Sequence, residues 1–269
     1  MNTPDTPWPL IGVFDSGVGG LSVLRALHRL APQHAMHYLA DSGHAPYGDR
    51  DPQHVIDRSL RMADHLIERG AQLLVVACNT ATAWAIDALR ERHPDLPLVG
   101  VEPGVKPAAQ RSARGRIAVM ATTATLQSRR FDQLVARHAA GCQVLRVPCP
   151  GLAAAIEQGD AGQAEVERLL DQHVRPLADS GIDVLVLGCT HYPFVADRIA
   201  QRLPRDVTLL DTAEPVARQA LRLLGEATQP VRTGPWQGVV LESTGDTTVL
   251  NRMAREHLGL ALTARRLPD

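Results

Sequence analysis

The chain has 269 residues, 45% hydrophobic and 21% charged, an ordinary soluble balance with length for one large domain or two modest ones. Its formal net charge is −1, so no global basic field gathers nucleic acid or anionic lipid; no apolar run nears the ~20 residues of a membrane span. The start, MNTPDTPWPLIGVF, lacks a basic segment followed by an apolar one, so no secretory leader is expected and a cytoplasmic location is the default.

In chain order, strand-length apolar runs alternate with helical stripes. LIGVF (10–14) precedes a stripe of Leu21, Val23, Leu24, Leu27 and Leu30. AMHYLA (35–40) precedes a helix over 51–69, with Val55, Ile56, Leu60, Ala63, Leu66 and Ile67 on one side and Gly70 at its C-cap. That apolar side reads as core rather than as an interface. LLVVAC (73–78) and LPLVGV (96–101) complete the first set. Alternation of this kind indicates parallel βαβ units, and nearly continuous apolar strands fit a sheet covered on both faces.

The second half repeats the plan. IAVMA (117–121) answers IGVFD (11–15), VLRVP (144–148) answers the strand ending at Ala40, and VLVLGC (184–189) answers LLVVAC. A Glu-Pro pair follows the fourth strand of each half, at Glu102-Pro103 and Glu214-Pro215. VVLES (239–243) and a helix over 246–258 add to the first half. The expected fold is α/β: two similar three-layer domains with mainly parallel sheets, related by pseudo-twofold symmetry, with the active site in the cleft between them. The first domain would comprise residues 1–98 plus 211–269, and the second 99–210.

In open parallel sheets, ligands bind where loops leave the carboxyl ends of the strands. At one such end, FDSGVGGLS (14–22) offers Asp15 and Ser16 beside Gly17, Gly19 and Gly20. It reads as a site mouth, a capped tight turn or a phosphate cradle; against the last, there is no Walker lysine and no G-x-G-x-x-G. At two others stand Cys78 and Cys189, each followed by small polar residues that would begin a helix: Asn79-Thr80 and Thr190-His191. A helix N-terminus lowers a thiol's pKa and holds a carboxylate. Two thiols on opposite faces of a trapped carbon can invert it, one removing a proton as thiolate and the other supplying one as thiol. Asp15 and His191 are candidate assistants to the thiols. Tyr47 and Gly48 in GHAPYGDR (43–50), and Glu157 in CPGLAAAIEQG (149–159), complete the candidate mouth.

The residue counts limit cofactors. The four cysteines (78, 142, 149 and 189) form no C-x-x-C pair, and Cys189 with His191 is too small a set for structural zinc. The single lysine, Lys106, lies in a Pro- and Gly-rich stretch and is a poor Schiff-base candidate for pyridoxal phosphate. No cofactor and no metal are expected.

IGVFDSGVGGLSVL, PYG (46–48), ACNTATA (77–83), GCTHYP (188–193) and STGDTTVLNRMAREHLG (243–259) together resemble the signature segments of bacterial glutamate racemases, within the aspartate/glutamate racemase family. Aspartate racemases usually place an acidic residue where this chain has His191. The resemblance implies cofactor-independent interconversion of L- and D-glutamate, supplying D-glutamate for peptidoglycan, by a cytoplasmic homodimer without nucleic-acid or membrane partners. By motif it makes Cys78 and Cys189 the catalytic pair and gives substrate contacts to Asp15, Ser16, Tyr47, Gly48, Asn79, Thr80, Thr190 and His191. It also implies a role for Glu157 near the ammonium group, and for Thr122 and Thr125 as hydroxyls that hold a carboxylate. Ala121 and Phe131 depart from the family's usual glycine and tyrosine. Two other readings stay open: a racemase of aspartate or another small acid, and a two-domain binding module whose cysteines are packing residues.

Overall fold

The computed structural model describes residues 9–225, 238–259 and 262–267; the segment read above for a leader lies mostly outside them. The chain divides into two compact units, residues 1–101 with 213–269, and residues 102–212. The two crossings fall at Val101/Glu102 and Thr212/Ala213, where the sequence pattern set breaks at 98/99 and 210/211. Glu102-Pro103 follows directly on the first crossing, and Glu214-Pro215 lies one residue beyond the second. No described helix is long and apolar enough to cross a membrane.

The first unit begins β1 (Leu10–Asp15), α1 (Leu21–Leu30), β2 (Met36–Ala40), α2 (Pro52–Glu68), β3 (Ala71–Val76), α3 (Asn79–Arg92) and β4 (Leu98–Gly100). The second unit follows with α4 (Val105–Arg111), β5 (Arg116–Ala121), α5 (Thr123–Leu126), α6 (Arg129–His138), β6 (Gln143–Pro148), α7 (Leu152–Glu157), α8 (Gln163–His173), β7 (Val184–Leu187), α9 (Ala196–Ala200) and β8 (Thr208–Leu210). The chain then returns to the first unit with α10 (Ala213–Leu223), β9 (Val239–Ser243), α11 (Thr248–Leu258) and β10 (Arg265–Arg266).

The internal repeat is real at the level of topology. The second sheet runs β6-β5-β7-β8 and the first contains the same order as β2-β1-β3-β4, with β9 and β10 added beside β2. All of these pairings are parallel. The strand residues 11–15, 36–40 and 73–76 are all buried because helices cover both faces, with Asp15 and His37 the polar residues among them. Val55, Met62, Ala63 and Leu66 of α2 are core, and Ile56, Leu60 and Ile67 pack against them. The apolar side of α2 is thus spent inside the unit. Lys106 departs from expectation: it lies exposed in the first turn of α4 rather than in a loop.

In this strand order the direction of winding reverses between β1 and β3, and again between β5 and β7. Ligands in open α/β sheets sit at such a reversal, because the two flanking loops part there and leave a crevice. Those loops begin at Asp15 and Ala77 in one unit and at Thr122 and Gly188 in the other.

Candidate active site

Each thiol stands two residues beyond its strand, β3 for Cys78 and β7 for Cys189. Just before each, a backbone N–H still reaches the neighbouring strand: Ala77 N donates to Phe14 O at 2.8 Å, and Gly188 N to Met120 O at 2.7 Å. A side chain at residue 188 would place its Cβ 2.7 Å from that Met120 oxygen, so the close approach requires glycine. Both cysteines are buried thiols outside any disulfide.

In the first unit Cys78 is the N-cap of α3, and its Sγ accepts from Ala81 N at 3.4 Å. The helix end favours a thiolate there. Ser16 Oγ lies 3.5 Å from the same sulfur and donates to Asp15 Oδ1 at 3.1 Å. Asp15 is fully buried, and its other oxygen accepts a very short bond from Gly20 N. The following N–H groups of this turn bond to Val18, Gly19 and Gly20 carbonyls, and Tyr38 Oη holds Gly17 O at 2.8 Å. An internal carboxylate thus already serves the N-terminus of α1, which removes the phosphate-cradle reading. Gly20 is needed for a different closeness: a Cβ there would sit 2.9 Å from Ala77 and 3.0 Å from Asp15.

Asn79 and Thr80 are buried in the first turn of α3, and Asn79 Oδ1 has no hydrogen-bond partner among the described residues. Tyr47 is buried in a 3₁₀ turn, Tyr47–Asp49, with Gly48 partly buried beside it. Its hydroxyl donates to Asp41 Oδ2 at 2.5 Å, so the ring is a support and the phenol is committed. Burial and the adjacent Asp41 carboxylate push the Tyr47 phenol far above its ordinary range.

In the second unit the expectation of a helix directly after the thiol fails. Thr190 and His191 form a turn, a 3₁₀ segment Tyr192–Val195 follows, and α9 begins only at Ala196. Proline at 193 sits in that tight segment, where its missing N–H costs nothing. The turn brings His191 Nδ1 to 3.6 Å from Cys189 Sγ, and Nε2 to 2.7 Å from Glu157 Oε1 at the end of α7. Burial disfavours a charged imidazole, but the bonds to Cys189 and Glu157 outweigh it and raise the His191 pKa well above normal. Cys189, His191 and Glu157 form a hydrogen-bonded chain. Thr122 caps α5, accepting from Thr125 N at 3.2 Å and donating to Thr125 Oγ1 at 2.9 Å. Phe131 is buried beneath the Arg146 guanidinium, 5.0 Å from the ring centroid.

The sequence pattern of the Asp/Glu/Hydantoin racemase family matches residues 11–220. The chain belongs to this family. The racemase is 48% identical over 246 residues to a glutamate racemase of Ectopseudomonas mendocina, covering 91% of this chain and 92% of that protein. Its structure is similar to glutamate racemase isoform RacE1 of Bacillus anthracis, with TM-score 0.85, 32% identity and 97% of both chains covered. It is also similar to Escherichia coli glutamate racemase in complex with L-glutamate and the activator UDP-MurNAc-Ala. There the TM-score is 0.83 and identity 29%, over 97% of this chain and 98% of that one.

Three supporting residues of the racemase were missed by sequence reasoning. Asp41, directly after β2, is fully buried and takes Arg58 Nε at 2.9 Å and Nη2 at 2.7 Å, with Thr244 Oγ1 at 2.7 Å. Burial would raise the Asp41 pKa, but Arg58, Tyr47 and Thr244 together hold it below its ordinary value. A signal existed: Arg58 lies on the apolar side of α2, and an arginine there needs a buried partner. Cys149, directly after β6, is the third; burial and the nearby Cys189 push its thiol up to about 12, so it stays protonated and donates to Val147 O at 3.4 Å.

Proposed function

We propose that this racemase interconverts L- and D-glutamate without a cofactor, with Cys78 and Cys189 both acting on one substrate molecule. Cys78 and Cys189 address opposite faces of the α-carbon. The observation that carries this reading is that each unit, at the same strand end of the same strand order, holds a buried thiol with its own means of stabilising negative charge. The reaction needs one thiolate and one thiol at a time. With L- or D-substrate bound, one sulfur removes the α-proton while the other delivers a proton to the far face, and the next turnover in reverse exchanges their roles.

The surroundings suit that division. His191, held cationic by Glu157, donates to Cys189 when it is a thiolate. Ser16 has one hydrogen: it is directed to Asp15 when Cys78 is a thiol and can turn to the sulfur when Cys78 is a thiolate. Asn79 Oδ1 offers an acceptor to the substrate ammonium, and the Thr122–Thr125 hydroxyls and the loop N–H groups offer donors to a carboxylate. The α-hydrogen is weakly acidic, so these charge-stabilising contacts and the exclusion of water supply much of the rate. The resemblance extends the reading to a cytoplasmic homodimer that provides D-glutamate for peptidoglycan.

Pure protein incubated with L-glutamate in deuterated water, without pyridoxal phosphate, tests it. The expected product is D-glutamate bearing α-deuterium, formed far faster than the same conversion of L-aspartate. Absence of both exchange and inversion would overturn the reading, and preference for aspartate would reassign the substrate.

A further inference from the structure

Away from the thiols, three potential metal ligands converge on one face of the first sheet. His37 on β2 pairs in register with Val240 on β9, so Glu242, two residues on, projects from the same face. His65 reaches that face from α2. The Nε2 atoms of His37 and His65 both lie 2.8 Å from a single oxygen, Glu242 Oε2. The three ligand atoms fall within 4.8 Å of one another, and among the described residues they are the only such set. The other oxygen, Oε1, accepts from Arg69 Nη1 at 3.0 Å.

We propose that His37, His65 and Glu242 form a binding site for one divalent cation of the zinc type, independent of the reaction proposed above. Two imidazole nitrogens and one carboxylate oxygen are a donor set that zinc and its neighbours take with open positions left for water. Ligands at about 2.0–2.2 Å around a tetrahedral ion lie roughly 3.4 Å apart, so the present 2.8 Å separations need to open by only about half an ångström. Arg69 fixes the carboxylate through its second oxygen, the kind of outer contact that orients metal ligands. Access is one-sided: the side chains of His37 and Glu242 are 6% and 4% exposed, and that of His65 is 21% exposed. Water would complete the coordination beside His65.

A cation here would clip together segments far apart in the chain. Glu242 is 205 residues from His37 and 177 from His65, on the strand formed after the chain returns from the second unit. Ligand binding to the folded state alone raises stability by mass action.

Protein stripped with EDTA and titrated calorimetrically with zinc chloride provides the test. One zinc per chain is expected, with at least an approximately tenfold weakening in His65→Gln, whose site on the helix surface tolerates the change. Because thiols also take zinc, the cobalt(II)-loaded protein should show visible ligand-field bands without a near-ultraviolet thiolate charge-transfer band. Zinc should raise the Tm of the parent by clearly more than that of His65→Gln. No stoichiometric binding, equal affinity in His65→Gln, or a thiolate band on the cobalt protein would overturn the proposal and leave the cluster as hydrogen-bonded ion pairing only.

Discussion

In the first unit the thiol after β3 caps a helix of 14 residues; in the second, the thiol after β7 meets a turn, a buried histidine and a glutamate behind it. The strand order and the backbone bond that precede them are alike, so the fold delivers a sulfur to the same place twice and leaves its electrostatics to local residues. A helix end is worth about 0.3–1 kcal/mol to a nearby anion, whereas a hydrogen bond to a charged partner is worth about 1.5–3 kcal/mol. Cys189 has a buried imidazole backed by a carboxylate at its sulfur, whereas Cys78 has a helix end and the Ser16 hydroxyl. A two-base enzyme working on two mirror-image substrates does not need identical sulfurs; it needs each to reach both protonation states.

Breaking either half tests the comparison most severely. Cys78→Ala and Cys189→Ala should each lower turnover by about 10⁴-fold, near the upper range for loss of a positioned acid or base. A single variant that keeps substantial racemisation would break the two-base reading in one measurement.

Arg58→Ala should cost about 3–5 kcal/mol of stability in urea unfolding, because it strands the buried Asp41 carboxylate that supports Tyr47. The pH dependence has a definite sign. The folded-state pKa of Asp41 is depressed, so its contribution is present above the unfolded carboxylate value and is lost as pH falls through the lower folded one. The parent should therefore lose stability with acid more steeply than the variant. A flat difference between them would show that the pair does not support the unit.

His191→Asn sharpens the asymmetry. A drop of about 10²-fold in kcat/KM is expected, equal in both directions because enantiomers have equal free energies. The α-deuterium isotope effect should then rise chiefly in the direction where Cys189 removes the proton. Equal isotope effects in both directions would mean that the histidine does not act through that thiol.

Glu157→Gln is expected to lower kcat about tenfold. Since Glu157 helps raise the His191 pKa, its loss should move the basic limb of the pH–rate profile to lower pH. A shift the other way would exclude that role for Glu157. The smallest effect belongs to Ser16→Ala, a loss of a few-fold, measured as kcat with little change in KM.

Much of this is legible in the sequence. Periodicity located β1, β2, β3, β5, β6, β7 and β9 to within a residue or two, since parallel strands covered on both faces must be apolar throughout. The repeat was visible for the same reason, and it carried the placement of Cys78 and Cys189 at matching strand ends. The error after Cys189 is instructive. Thr190-His191 looks like the start of a helix by composition, but Pro193 and the pull of Glu157 on His191 give a turn that aims the imidazole back at the sulfur. Composition alone cannot distinguish those outcomes.

By itself, the sequence determined the alternation of strands and helices, the doubled plan and the residue types that chemistry would require, because these follow from local periodicity and short motifs. Only the tertiary structure decided which groups share a proton or a charge. Asp41 with Arg58, His191 with Glu157, and Glu242 with His37 and His65 are joined across 17, 34, 205 and 177 positions of the chain. Charges find such partners because burial makes an unpaired one too costly, and burial is a property of the packed fold rather than of any segment. The thiols were visible in one dimension; what tunes each of them was not.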